Sequence, residues 1–303
     1  MEATSTGRAP ANPMHGSSRR AAPAGPRLEG AERGERVLRQ MSFNRDREMT
    51  RLRTIDQARI DLCAALRQCH RLGYSEGIVN HFSYAIPDME GYFLINPEGV
   101  HWSELRAADL LLIDANGTVV EGVHKVEPTA FYIHGCIHRA KPGARCILHT
   151  HSLYATALAM LAEGRLEMAS QSAVRFHERV AFDRHYNGLA LDDEEGDRLV
   201  SCLGDKDVLF LANHGVIVCG SKISWAFDDL YYLERACQLQ LLAQGSGQTL
   251  LAIRPDVVAQ AAAALTSARE RALADLHFAA LKRELSRLDP NWSRLDEPTR
   301  IGA

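Results

Sequence analysis

From residue 81 to residue 220 short apolar runs alternate with stretches of helical periodicity, and this alternation restricts the folds open to the chain. "FSYAIP", "GYFLINP", "LLLIDANGTVVEG", "RCILH" and "VLFLANHGVIVCG" are bounded by Pro, Gly, Asn and Asp and read as strands. "DANG" (114–117) and "NHG" (213–215) each lie between two such runs, too short for a crossover helix, so they join antiparallel strands. "TAFYIHGCIHRAKP" follows Pro128 and is closed by Pro142, which suits a helix. "MTRLRTIDQARIDLCAALRQCHRLGY" has apolar residues at helical spacing, with Gly73 as its stop. "SWAFDDLYYLERACQLQLLAQ" reads as a long amphipathic helix. Interleaved strands and helices make an α/β body, and the turn-linked pairs make its sheet mixed.

The chain divides into three parts. Residues 1–45 are rich in Ala, Gly, Pro, Ser and Arg and poor in large apolar residues, so a disordered N-terminal tail is expected there. Residues 46–250 form the folded body. Residues 251–303 are a C-terminal extension, Ala-rich and helical over 256–287, after which "RLDPNWSRLDEP" runs out into a tail. Of the 303 residues 24% are charged and the net charge is -3, which gives no electrostatic case for nucleic acid. No apolar run approaches the ~18 residues that would span a membrane. The seven cysteines show no CxxC pair and lie in apolar or helical stretches, the pattern of reduced thiols in a cytoplasmic protein.

"CILHTHSLYATA" places His149 and His151 one residue apart at the end of an apolar run. Residues i and i+2 of a strand share a face, so the two imidazoles project together. That pattern suits a polar surface or hydrogen-bonded pair as well as two arms of a metal site. A third histidine, His214, lies in the glycine-bearing turn of "FLANHGVIV", where Asn213 and Gly215 also have a plain reading as turn chemistry.

Taken together, "AKPGARCILHTHSLYATAL" and, about sixty residues on, "DVLFLANHGVIVCG" resemble the class II aldolase/adducin family. "LGYSEGIVNHFSYAI", "FLINPEGVHWSELRAADLLLIDANGTVVEG", "FYIHGCIHRAKP" and "RVAFDRHYNGLALDDEEGDRLVSCLG" continue the resemblance in order. It implies a three-layer α/β/α fold around a central mixed, largely antiparallel sheet. It also implies that His149, His151 and His214 hold a divalent metal, Zn²⁺ or Fe²⁺, and that the chain forms closed homo-oligomers, often tetramers.

The sequence departs from the sugar-phosphate aldolases of that family. Their "SSE"-like triplet corresponds to Pro128, Thr129 and Ala130, and alanine transfers no proton. Glu127, three residues from Ala130, is the substitute within reach, and also has a plain reading as an acid at a helix N-terminus. His81 stands where their phosphate-binding asparagine would be, and Pro128 offers neither N–H nor hydroxyl to a phosphate oxygen. A phosphorylated sugar is therefore not expected. His134 and His138 share a helix face. In "SQSAVRFHERVAF", Arg175 is the candidate partner for a substrate carboxylate and His177 the candidate proton-transfer group, with Gln171 and Glu178 nearby. Tyr231 and Tyr232 read as core.

The leading expectation is a metal-dependent lyase performing aldol cleavage or decarboxylation on a small non-phosphorylated carbonyl or hydroxy acid. A nonheme Fe(II) oxygenase acting on aryl-2-oxo acids, like family members from aminocoumarin biosynthesis, is the first alternative. A non-catalytic adducin-like interaction module is the second.

Overall fold

The computed structural model describes residues 27–300. Residues 1–26 of the expected tail lie outside the described residues. Helix α1 spans Arg27–Arg71, so it begins inside the stretch expected to be tail. "RLEGAERGERVLRQM" is rich in Arg and Glu, which favour helix without needing a core.

The compact unit running from Arg51 to the C-terminus holds every strand. Within it, Leu62, Ala65, Leu66 and Cys69 of α1 recur every three or four residues and are fully buried. The helix stops at Gly73, whose φ of 75° places it in the left-handed region glycine tolerates. Then come β1 (His81–Ala85), β2 (Phe93–Ile95), β3 (Leu111–Ile113) and β4 (Val119–Glu121), followed by α2 (Pro128–Ala140), β5 (Cys146–Thr150), α3 (Leu153–Ala159) and α4 (Gln171–Val174). The body is completed by β6 (Val180–Asp183), α5 (Asp193–Leu203), β7 (Val208–Leu211), β8 (Gly215–Gly220) and α6 (Ile223–Gln244). Helices α7 (Pro255–Leu265) and α8 (Ala268–Leu288) follow.

The strands form one eight-stranded sheet in the order β4-β3-β2-β1-β5-β8-β7-β6. Each neighbouring pair is antiparallel except β6 and β7. Strand β5 lies at the centre, and side chains on both its faces are buried, as its nearly unbroken apolar run requires. Its alternation sorts the layers. Ile147 faces Ile133 and Ile137 of α2 and Leu199 and Leu203 of α5. Cys146 and Leu148 face the larger core built by α1, α3, α6 and α8 with Phe82, Phe210 and Trp102. The outcome is the mixed sheet with helices on both sides that the sequence implied.

The C-terminal segment does not run out into a tail. Phe278 and Leu285 of α8 join the large core, and Trp292 is buried in it. The backbone amide of Ala107 donates to the Trp292 carbonyl at 3.0 Å, and that of Ala108 to Arg294 at 2.9 Å. Strand β6 and helices α3, α4 and α5 were not anticipated. "VAFD" is too short for its alternation to register, and β6 pairs only at the sheet edge. The apolar stripe of α6 is mostly covered by its neighbours, leaving Leu239 and Leu242 exposed near its end.

Candidate metal centre

Strand β5 carries His149 on the face toward α2 and α5, and the chain leaves the sheet after Thr150. His151 is the first residue beyond the strand. The tight turn joining β7 to β8 brings His214 beside them, with Asn213 at φ 55°. One nitrogen from each of His149, His151 and His214 lies within 4.8 Å of the other two. The rings are near neighbours, with centroids 4.8 Å apart for His149 and His214 and 4.7 Å for His151 and His214.

The outer nitrogens decide what the inner ones can do. His149 Nδ1 lies 3.2 Å from the Val216 carbonyl, so it carries a proton and donates it. His151 Nδ1 lies 2.5 Å from the Glu76 carboxylate and does the same. Both Nε2 atoms are then bare lone pairs, and they face each other at 3.1 Å. Two lone pairs repel at that distance unless a cation lies between them. It is also close to the ~3.3 Å expected of two nitrogens each ~2.0–2.1 Å from one tetrahedral ion. A carboxylate or carbonyl behind each imidazole is the usual way a metal-binding histidine is held in its tautomer. The donor set therefore fits a divalent ion.

Close packing fixes the geometry. A Cβ on Gly215 would come within 2.5 Å of the Thr150 carbonyl oxygen and 2.9 Å of the His151 ring, so only glycine lets the "NHG" turn approach the "HTH" corner. Behind that corner, buried Glu234 of α6 accepts from Ser152 Oγ at 2.8 Å, Tyr154 N at 2.8 Å and Ala155 N at 2.9 Å. Glu76 belongs to the loop after α1, where its own amide donates to Asn80 Oδ1 at 2.7 Å.

Beyond the three histidines lies a second, largely interior set. His81 is the cross-strand partner of His149, and their rings are 4.8 Å apart. His81 Nδ1 is 2.7 Å from His134 Nε2. Ser83 Oγ is 2.5 Å from His134 Nδ1 and 2.7 Å from His138 Nε2. Burial drives all of these imidazoles toward the neutral form. It pushes His81 and His138 down to about 3 and His134 well below its ordinary range. Burial, reinforced by neighbouring imidazoles, also holds His149 down and takes His214 to about 4.

These depressed values set an acid limit for the metal-free protein. A histidine neutral when folded and titrating near 6.5 when unfolded takes up its proton only on unfolding. The stability it supports is complete above about pH 6.5 and is lost as pH falls toward about 3. Each such proton is worth about 1.4 kcal/mol per pH unit, so His81, His134 and His138 together should remove about 6 kcal/mol by pH 5. Thermal melts of the apo protein should show Tm dropping between pH 6.5 and 5, and a flat Tm over that interval would contradict the buried neutral set.

The remaining sequence candidates are not among the three converging ligands. Glu127 caps α2, accepting from the Ala130 amide at 2.7 Å and Thr129 Oγ1 at 2.5 Å, which matches its plain reading. Arg175 is spent on structure. Its guanidinium bonds Asp228 and Glu270, both at 3.1 Å, and stacks 3.9 Å over the Tyr232 ring, so both terminal nitrogens are already engaged by carboxylates of the chain itself. His177 is two-thirds buried, with Glu178 at 3.9 Å as its ion partner, and is not among the residues gathered at the triad. Sequence reasoning missed Glu76, Ser83 and Glu234. Their signal was weak, because an acid in a glycine-rich loop or on a long helix reads as surface.

Residues 60–241 match the Class II Aldolase and Adducin N-terminal domain family. The chain belongs to the class II aldolase/adducin family. The crystal structure of an aldolase II superfamily protein from Pseudomonas syringae superposes with a TM-score of 0.73 at 32% identity, covering 80% of this chain and 96% of that one. A Streptomyces roseochromogenus protein named 4-hydroxy-3-prenylphenylpyruvate oxygenase/4-hydroxy-3-prenylbenzoate synthase is 31% identical, over 60% of this chain and 66% of its own. Adducin-related protein 1 of Caenorhabditis elegans is 33% identical, over 66% of this chain and 28% of its own. This class II aldolase/adducin-family protein thus resembles both enzyme-named and adducin-named relatives. Among its described residues no helix is long and apolar enough to cross a membrane.

Proposed function

We propose that this chain is a divalent-metal-dependent lyase performing aldol cleavage or decarboxylation on a small, non-phosphorylated carbonyl or hydroxy acid. The convergence of His149, His151 and His214, each of the first two backed by an acceptor, is the observation that carries the reading. These three would hold Zn²⁺ or Fe²⁺. The ion would act as a Lewis acid on a bound carbonyl. Three protein ligands leave positions open for a substrate. Glu76 keeps His151 in the ligating tautomer, and Asn80 orders the loop that carries Glu76.

The residues that stand where the family's phosphate-binding groups would be disfavour phosphate. Pro128 opens that helix without an amide or hydroxyl, and the buried imidazole of His81 is neutral. Calorimetry on the Zn²⁺-loaded protein should find that sugar phosphates bind no better than their non-phosphorylated counterparts. A hundredfold preference for the phosphate, about 2.7 kcal/mol, would overturn this part of the reading.

The oxygenase-named relative supports a second reading, in which Fe²⁺ and O₂ decarboxylate an aryl-2-oxo acid. A panel of small 2-oxo and 2-hydroxy acids, tried with Zn²⁺ under nitrogen and with Fe²⁺ in air, separates the two. Turnover under nitrogen supports the lyase. Turnover only with O₂ uptake supports the oxygenase. No turnover in either favours an adducin-like module. Exposed Leu153, Tyr186, Leu189 and Leu191 support assembly into a homo-oligomer, a tetramer on the family pattern, and seven unpaired cysteines favour a reducing, cytoplasmic setting.

A further inference from the structure

We propose that Tyr186 selects the ligand of the metal site, by laying its ring against an apolar substituent of the bound acid. This rests on the metal-site reading above and goes beyond it, because it names the kind of acid the site prefers: one that carries a flat apolar group on the carbon next to its carboxylate.

Tyr186 lies in the loop between β6 and α5. Its ring makes a T-shaped contact with the His214 ring, with centroids 6.2 Å apart and planes at 63°. That separation lies within the range of aromatic pairs in contact. Yet 53% of the residue stays open to solvent. Both neighbours of Tyr186 in sequence are tied down. The His185 amide donates to Asp183 Oδ1 at 3.0 Å, and Asn187 Nδ2 donates to Glu195 Oε2 at 3.3 Å. Arg198 of α5 then joins the two carboxylates, donating to Asp183 at 2.6 Å and to Glu195 at 2.7 Å. Asp183 is buried, so this clamp is anchored in the body of the protein. A loop held on both sides of one residue keeps that residue in place, and a fixed tyrosine ring offers contact area at little entropic cost. Arg198 is therefore a positioning residue for Tyr186.

Space decides which part of the ring meets the substituent. Tyr186 and His214 share a cleft with Ile133, Leu199 and Leu211 whose volume is about 20 Å³. One water fills such a space, and a phenyl group does not enter it. The solvent-facing part of the ring is what remains. An acid that reaches the ion through its carboxylate and the adjacent oxygen carries its substituent on the same carbon as that oxygen. The substituent therefore stays within a few bonds of the three imidazoles. Among the described residues no other tyrosine, phenylalanine or tryptophan ring is paired with one of them. Covering the open part of Tyr186 with an apolar group frees water from both surfaces, and an acid without that group leaves the ring wet.

The probes are glycolate and mandelate, which share the carboxylate and hydroxyl that reach the ion and differ by one phenyl group. The Zn²⁺-loaded protein should bind mandelate about tenfold more tightly by calorimetry, or about 1.4 kcal/mol, the scale of one aromatic pair. Tyr186→Phe keeps the ring and should keep the preference. Tyr186→Ala should shrink it to less than threefold, with Zn²⁺ affinity in chelator competition close to native. The same ion meets the same two acids in every protein, so any intrinsic preference of the metal cancels. Magnetic resonance of the native chain with labelled tyrosines gives a readout that needs no folded Ala variant: the phenyl protons of mandelate should show Overhauser contacts to the Tyr186 ring, assigned by their loss from the labelled Tyr186→Phe protein. Equal binding of the two acids by the native protein, or no contact between the rings, overturns this inference alone. So does a preference retained in Tyr186→Ala, which would make the ring a subunit contact or plain surface. An equal loss for both acids in that variant also overturns it, because the ring would then serve only to prop His214. Failure to bind Zn²⁺ would overturn the metal-site reading and this inference together.

Discussion

Gly215→Ala should weaken metal binding about a hundredfold while costing only about 1–3 kcal/mol of stability, the usual range for overpacking. The added methyl would meet the Thr150 carbonyl oxygen at 2.5 Å and the His151 ring at 2.9 Å, and a strand backbone cannot yield as a flexible side chain does. Thr150 pairs with Val216 and Gly215 with Leu211, so β5 and the β7–β8 turn must separate. That moves His214 away from His149 and His151, and metal sites tolerate only about ±0.2 Å in their ligand distances. Competition against a chelator of known affinity, beside a thermal melt, separates the two effects. Affinity within threefold of the native protein would show that the turn is not what sets the ligand spacing.

Glu234→Ala should be the most destabilising single change near the site, by about 2–4 kcal/mol. Its buried carboxylate accepts from three donors, two of them backbone amides at the start of α3. Removing it strands all three in a dry setting. It also removes the negative charge that suits a helix N-terminus. Ser152 directly follows His151, so the loss should reach the ligand as roughly a tenfold drop in metal affinity, the lower end for an outer partner of a metal-binding histidine. Glu234→Gln, with the same shape but an amide nitrogen among the donors, should fall between the two proteins. A Glu234→Ala variant with native Tm would mean that water replaces the carboxylate at no cost.

What the sequence revealed and what it concealed divide along physical lines. Strands β1, β2, β5, β7 and β8 and helix α2 were legible because runs such as "RCILH" and "VLFLANHGVIV", or Pro128 and Pro142 around a helix, are local signals. The three histidines were legible as a set through the resemblance of "HTH" and "NHG" to the class II aldolase/adducin family, since the strand and turn patterns alone suit a polar surface pair and plain turn chemistry equally well. Strand β6 was hidden because a run of only four residues carries no period. Trp292 was read as tail because "RLDPNWSRLDEP" is largely polar and its tryptophan is held in part by Cys63 and Ala107, which are distant in sequence. Arg175 and His177 were chosen for their chemistry, but the ion pairs to Asp228 and Glu270 arise from packing α4 against α6 and α8, which no local pattern discloses. The hydrogen-bonded set around Ser83 was invisible for the same reason. Its members come from β1 and α2, and only the assembled sheet aligns them.

The central claim is that His149, His151 and His214 form one metal site, and metal content tests it most directly. Protein purified without oxygen and assayed by elemental analysis should hold one Zn²⁺ or Fe²⁺ per chain. The His149→Ala/His151→Ala double variant, checked by circular dichroism to retain its fold, should hold none. Full occupancy in that variant would place the ion elsewhere and contradict the account.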